Sequence, residues 1–288
     1  MLSNFVEVAA DVRRRLLAGI PVTSRRLTAA GIPTTVVEGG TGPPMVLLHG
    51  PGESAAKWLR VLPALLATHR VVAPDLPGHG ESAVPDGEIG PDRLTSWLGE
   101  LVERTCAEPP VIVGHVLGGA IAARYAAAGG RLSRLVLVDS LGLVRFLPKP
   151  AFAVTMIAFQ ARPSAGSYER FMRQCSYDLD RLRSDLGDRW EPYADYAVAI
   201  ARSPRSALVG RLLRTAGIPR IPAEVLDRIT VPTALIWGEH DRANRVASVR
   251  AVADRHGWPL HVVADCADDP PRDQPEGFLR ALHAVLEG

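Results

Sequence analysis

Six short stretches of this chain have continuous apolar cores: MVLLHG (45–50), RVVAPDL (70–76), VIVGHV (111–116), RLVLVDS (134–140), TALIWGEHD (233–241) and LHVVADC (260–266). A strand wetted on one face alternates apolar and polar residues. A strand covered on both faces reads as an unbroken apolar run. Between these runs lie helical patterns such as TSWLGELVERTCA (95–107) and GGAIAARYAAAG (118–129). Strand and helix in alternation imply an α/β fold with a doubly wound, mostly parallel sheet. Two earlier runs, SRRLTAAG and IPTTVVEGG, fit a hairpin at one edge of that sheet.

From 145 to 229 the rhythm breaks. The sequence there reads as helices and loops, punctuated by Pro148, Pro150, Pro163, Pro192, Pro204, Pro219 and Pro222. The expected organisation is an amphipathic N-terminal helix in 1–22, a core built from 23–144 and 230–288, and a helical cap inserted at 145–229. With 288 residues and 47% hydrophobic content, the chain can fill one large core. In the first segment Arg13, Arg14 and Arg15 sit in the middle of the apolar stretch. A secretory leader places its charge ahead of an uninterrupted apolar run. No apolar run of about 18 residues occurs, so no membrane span is expected. Thirty-three basic residues against 31 acidic give a net charge of +2. The overall charge therefore makes no case for nucleic acid or an anionic membrane as partner. Cys106, Cys175 and Cys266 are scattered and odd in number, which fits neither a disulfide framework nor a metal site. The expectation is a cytoplasmic protein with a small-molecule ligand and no cofactor or metal.

In an open α/β sheet, ligands bind beyond the carboxyl ends of the strands. Those ends are His49-Gly50, Asp75, Val116, Asp139-Ser140, Asp241 and the loop after Asp265. Four motifs accompany them in order: HGPGESAAKW (49–58), DLPGHGES (75–82), GHVLGGAIAARYA (114–126) and ALIWGEHDRANRV (234–246). Over roughly residues 24–288 the chain resembles the α/β-hydrolase family. The resemblance implies a His-Gly turn at 49–50, a nucleophile elbow centred on residue 116 and a triad acid at Asp241.

The catalytic positions depart from that pattern. Gly114 and Gly118 permit the tight strand-to-helix turn. Val116 offers only methyl groups, and a covalent intermediate needs Ser, Cys or Asp there. In the family a histidine follows the last strand. Here the segment is Ala267-Asp268-Asp269-Pro270-Pro271-Arg272-Asp273-Gln274-Pro275, and counting back from Pro275 puts Asp268 at the histidine position. A slip of one would offer Asp269 or Ala267. One oxyanion donor would be the N–H of Leu117. The other falls on Pro51, which has none, with Gly52 as substitute if the loop runs differently. Loss of nucleophile and base together points to a natural non-hydrolytic member rather than a single engineered substitution at Val116.

What remains is carboxylates. Asp241 and Asp268 should approach each other under the cap, and two close carboxylates do not both ionise easily. A pair sharing a proton can act as acid and base; the alternative is that Asp268 caps a turn in Asp-Asp-Pro-Pro. Glu53 is either a polar contact in the pocket or the cap of a helix beginning near Ala55. His49, His79 and His115 read as braces of the loops, with His115 also at the pocket. Trp58 reads as core. Ser140 could reach the rim, and Tyr177 is placed with the cap residues over the ligand. A hard cation at Asp241, Asp268 and Asp269 is conceivable, without support from spacing. The catalytic candidates are thus Asp241 and Asp268, with Pro51, Gly52, Glu53, His115, Val116, Leu117, Ser140 and Tyr177 as ligand contacts. The expected activity is a lyase, isomerase, cyclase or cofactor-free oxygenase step on a small, largely apolar molecule. The competing expectations are a binding protein without turnover and a hydrolase using carboxylate-activated water.

Overall fold

A computed structural model describes residues 2–288. Its eight strands are β1 (Val22–Ala29), β2 (Ile32–Gly39), β3 (Pro44–Leu48), β4 (Arg70–Pro74), β5 (Val111–His115), β6 (Arg134–Val138), β7 (Thr233–Gly238) and β8 (Leu260–Val263). They form one sheet in the order β1-β2-β4-β3-β5-β6-β7-β8. The first three pair antiparallel and every later pair is parallel. Each apolar run becomes a strand, and the early pair becomes the edge hairpin, with Val22 opposite Gly39. Burial follows position in the sheet. β3, β5 and β7 are buried at every residue, while edge strand β1 alternates.

Helices α1 (Leu2–Leu16), α2 (Leu62–Leu66), α3 (Pro91–Thr105) and α4 (Leu117–Ala127) precede or connect the first six strands. Between β6 and β7 the chain is helical, with α5 (Pro150–Ala161), α6 (Ala165–Cys175), α7 (Leu179–Leu186), α8 (Trp190–Arg202), α9 (Arg205–Leu212) and α10 (Ala223–Leu226). Then come α11 (Val246–His256), α12 (Pro270–Asp273) and α13 (Pro275–Glu287). No helix among the described residues is long and apolar enough to cross a membrane.

Alternate strand residues feed two cores, one on each face of the sheet. Met45 and Leu47 pack with Trp58 and Phe278 on one side; Val46 and Leu48 pack with Trp97 and Leu135 on the other. α3 shows why the sequence forms a helix there. Pro91 starts it, and Leu94, Trp97, Leu98, Leu101 and Val102 share its buried face. The Trp97 indole N–H donates to Thr34 Oγ1 at 2.9 Å, so the ring is buried without an orphaned donor.

α1 joins the first core through Phe5, Ala9, Val12 and Leu16. Its Arg13 is buried and pairs with Asp75, and it lies 3.3 Å from Glu81. Asp75 also accepts the backbone N–H groups of Ala55 and Glu81, each at 2.8 Å. The first carboxylate of the DLPGHGES motif is thus a structural hub beneath the turn. The chain leaves β3 toward β4 on one side and returns to β5 on the other. That reversal opens a crevice at the carboxyl ends of β3 and β5.

Candidate active site

The turn after β5 is the tight elbow. Val116 has φ 48° and ψ −104°, a left-handed conformation that is an outlier for a β-branched residue. Glycines enforce it. A Cβ on Gly114 would stand 2.6 Å from the Gly118 carbonyl oxygen, and one on Gly118 would stand 2.4 Å from that of Leu48. The Val116 N–H donates to the Val138 carbonyl at 3.0 Å, which ties the elbow to β6. The geometry that would present a nucleophile is intact, and it presents two methyl groups. Leu117 opens α4, so its N–H is among those a helix leaves unbonded.

Above the elbow lies a cavity of about 660 Å³ between the sheet rim and the helices that follow β6. Its roof is apolar: Phe146, Phe152, Met156, Phe159, Phe171 and Met172. Pro51, Gly52, Glu53, His115, Val116, Asp241 and Asp268 all line it, as do Lys57, Asp139, Asp269 and Arg272. Three expected contacts lie elsewhere. The Leu117 side chain is fully buried in the second core, because the first helical residue after the elbow turns back onto the sheet. Ser140 is fully buried, and its hydroxyl donates to the Leu141 carbonyl at 2.9 Å. Tyr177 is 45% exposed and stacks on His240 outside the cavity.

One wall of the cavity is carboxylic. Asp241 follows β7, and its Oδ1 accepts the N–H groups of Ala243 (2.6 Å) and Asn244 (2.8 Å). Its Oδ2 accepts the Trp237 indole N–H at 3.0 Å. Asp139, at the end of β6, has φ 42°. Its Oδ1 accepts the Gly238 N–H at 3.0 Å, and its Oδ2 is buried with no partner among the described residues. Asp268 Oδ1 is likewise buried and unpartnered, so Asp268 does not act as a turn cap through that atom. Burial, and then the charge of Asp241, push the Asp139 and Asp268 carboxyls well above the usual range. Burial pushes Asp241 up to about 7 against the pull of its N–H donors. Three donors make Asp241 the best seat for a negative charge among the three, while Asp139 and Asp268 favour the protonated form. Asp139 was visible in the sequence as a strand end but not as a member of the site.

A second group, also absent from the sequence-based site, sits beside the elbow. Lys57 is 3% exposed, and its Nζ lies 2.5 Å from His115 Nδ1, 3.0 Å from Asp269 Oδ1 and 3.8 Å from Glu53 Oε2. The His115 Nε2–H donates to the Asp268 carbonyl at 2.9 Å. That assigns the bare lone pair to Nδ1, which accepts from the Lys57 ammonium. Arg272 pairs with the other Asp269 oxygen at 3.0 Å. Burial works to raise Asp269, yet Arg272 and Lys57 outweigh it and hold the carboxyl below its usual range. Glu53 behaves likewise: the Lys57 charge overcomes its burial and holds it well below. Glu53 does not cap a helix. Its Oε2 accepts the Gly50 N–H at 2.7 Å, and its carbonyl accepts the Tyr196 hydroxyl at 2.8 Å.

Among the described residues, Glu53, His115 and Asp269 are the one trio spaced to hold a metal ion. The Lys57 ammonium already fills their centre, which answers the charge that a cation would have answered. His49 braces its loop, with Nδ1 on the Gly50 carbonyl (2.7 Å) and Nε2 accepting the Leu76 N–H (3.0 Å). One signal for Lys57 did exist. A lysine in the otherwise apolar run Ala55-Ala56-Lys57-Trp58-Leu59 has to bring a partner into the core.

The sheet order, the glycine-enforced elbow and the strand-end acid after β7 define a fold class, and comparison with known proteins agrees. The chain belongs to the alpha/beta hydrolase family, whose model matches residues 45–281. It is 28% identical over 274 residues to the 2-hydroxy-6-oxo-6-(2'-aminophenyl)hexa-2,4-dienoic acid hydrolase of Metapseudomonas resinovorans, covering 91% of this chain and 90% of that one. It is 27% identical over 274 residues to the 2-hydroxy-6-oxo-2,4-heptadienoate hydrolase of Pseudomonas putida, covering 91% and 95%. Among solved structures, the 2-hydroxy-6-oxo-6-phenylhexa-2,4-dienoate hydrolase from Rhodococcus sp. strain RHA1 shares the fold. The TM-score is 0.79 at 23% identity, over 93% of this chain and 99% of that one.

Proposed function

We propose that this α/β-hydrolase-fold protein is a proton-transfer enzyme that forms no covalent intermediate. Its ligand is a small, largely apolar molecule bearing a carbonyl or hydroxyl oxygen, held under residues 145–229 as cap. The observation that carries this reading is the carboxyl wall. Burial and the charge of Asp241 favour the protonated form of Asp268, which donates a proton toward the ligand oxygen. Asp241, raised to about 7 by burial but the best seated of the three carboxyls for a negative charge through its N–H donors, accepts one in its ionised form. Val116 supplies an apolar floor where relatives of the family would place a nucleophile. An isomerase, lyase or cyclase step needs no more than this positioning and proton movement, and a cofactor-free oxygenase step needs dioxygen as co-substrate besides. The three free, buried cysteines support a cytoplasmic setting.

Hydrolysis by carboxylate-activated water is the second reading, and the hydrolase activities named for the two relatives favour it. Their substrates carry an oxo group on a dienoic acid chain, so an oxygenated, partly apolar ligand suits both readings. Incubation with an aryl ketone bearing acidic α-hydrogens in D₂O, followed by proton NMR, separates the two. Wild type should exchange those hydrogens, and Asp268→Asn should not. Absence of exchange by wild type, or exchange untouched by Asp268→Asn, overturns the proton-transfer reading. Incorporation of ¹⁸O from labelled water into products of a dienoate substrate would replace it with hydrolysis.

A further inference from the structure

α5 is apolar on two opposite faces. Phe152, Met156 and Phe159 line the cavity from its inner side. At about 100° per residue, Val154, Ile157 and Ala158 fall on the other side. There Val154 is 65% and Ile157 60% exposed, and Leu147, just ahead of the helix, is 51% exposed. The helix, PAFAVTMIAFQA, contains no charged residue. A helix apolar all round is ordinarily buried, and a contiguous exposed apolar face marks an interaction surface.

The flanks say what kind of surface fits. From Leu141 to Tyr168 the sequence contains no Asp or Glu, while Arg145, Lys149 and Arg162 bracket the helix on both sides. All three are exposed. A second copy of the chain would bring the same three cations to a two-fold contact, where like charges repel. An anionic bilayer surface complements both features at once. Its interfacial zone accepts an apolar helix face, and its headgroups attract the flanking cations.

We propose that α5 and its basic flanks dock on the surface of an anionic phospholipid bilayer, with the helix lying in the interface plane rather than crossing it. The outer face then rests in the lipid while the inner face lines the cavity. An apolar ligand would enter from the bilayer rather than from water. This inference stands independently of the reaction the cavity performs.

Co-sedimentation with vesicles tests it. Wild type should pellet with phosphatidylglycerol–phosphatidylcholine vesicles at low salt, bind phosphatidylcholine alone weakly, and be released by high salt. The double variant Val154→Gln/Ile157→Gln should partition ~10-fold more weakly. The triple variant Arg145→Gln/Lys149→Gln/Arg162→Gln should partition on the order of a hundredfold more weakly. All five positions are exposed, and circular dichroism checks that each variant is folded. The proposal fails if wild type stays in the supernatant with both vesicle types, or if either variant binds as wild type does. It also fails if sedimentation equilibrium shows a dimer that the double variant dissolves, which would assign the face to a second copy.

Discussion

The elbow and the charged cluster beside it line one cavity and have kept opposite things. At the elbow the backbone is held in a strained turn by Gly114 and Gly118, while the side chain at its tip, Val116, is chemically silent. Beside it the backbone is ordinary apart from Asp139, yet five carboxyls and two cations line the same cavity. The elbow's geometry is set by backbone contacts that survive any side chain at 116. The charged wall beside it is set by charges that must compensate each other. Backbone constraint preserves shape without function, whereas buried charge is tolerated only while its partners remain.

The largest expected effect breaks that compensation. Lys57→Met leaves Asp269 and Glu53 without their shared cation and should destabilise the fold by about 3–5 kcal/mol in urea unfolding. A loss under 1 kcal/mol would mean that Arg272 alone balances Asp269. Next comes Gly118→Ala, whose Cβ would meet the Leu48 carbonyl oxygen at 2.4 Å and that of His49 at 2.7 Å. A loss of about 2–3 kcal/mol is expected, since the opposing atoms are backbone and cannot swing away. Free tolerance of alanine there would show the elbow to be adaptable rather than enforced.

A third effect depends on pH. Asp241 is raised from an ordinary 3.8 to about 7, and Asp139 and Asp268 also lie above the usual range. Groups that bind protons more tightly when folded stabilise the fold fully below their unfolded pKa and lose that contribution as pH rises through the folded one. Glu53 and Asp269 act the other way and lose theirs only in acid. Burial holds His49 and His79 neutral, so they favour the fold as pH rises toward 7. The clean measurement is therefore a difference. Between about pH 5 and pH 8, wild type should lose stability relative to Asp241→Asn. Parallel curves for the two proteins would contradict a proton-sharing wall. The smallest effect belongs to the elbow tip. Val116→Gly relieves the positive φ and should stabilise by about 1 kcal/mol. Val116→Ser should acquire no labelling by a fluorophosphonate, because the nearby His115 ring is already engaged by Lys57 and the Asp268 carbonyl.

Continuous apolar runs are a local signal, and all six strands and the edge hairpin were legible from them. The site was legible only in part. Asp241 and Asp268 do line one cavity with Val116, Glu53 and His115. Lys57 escaped notice because its partners lie 58 and 212 positions away, and pairing at such distance leaves no mark in a local pattern. Ser140 and Tyr177 were misplaced for a related reason. A strand end or a loop names a region of the rim, while the direction of one side chain depends on the neighbouring loop. Whole-chain charge is a coarse signal as well. A net +2 averages away the acid-free stretch around α5, where the three cations stand together.

The Arg13–Asp75 pair has a consequence for how the chain is made. α1 leaves the ribosome well before α8, which begins at Trp190 and against which it packs. At about 5–20 residues per second, α1 waits roughly ten to forty seconds for that surface to exist. During that interval the apolar face bearing Phe5, Val12 and Leu16 stays uncovered. A binder of nascent chains has its opportunity there, well before the cavity is closed.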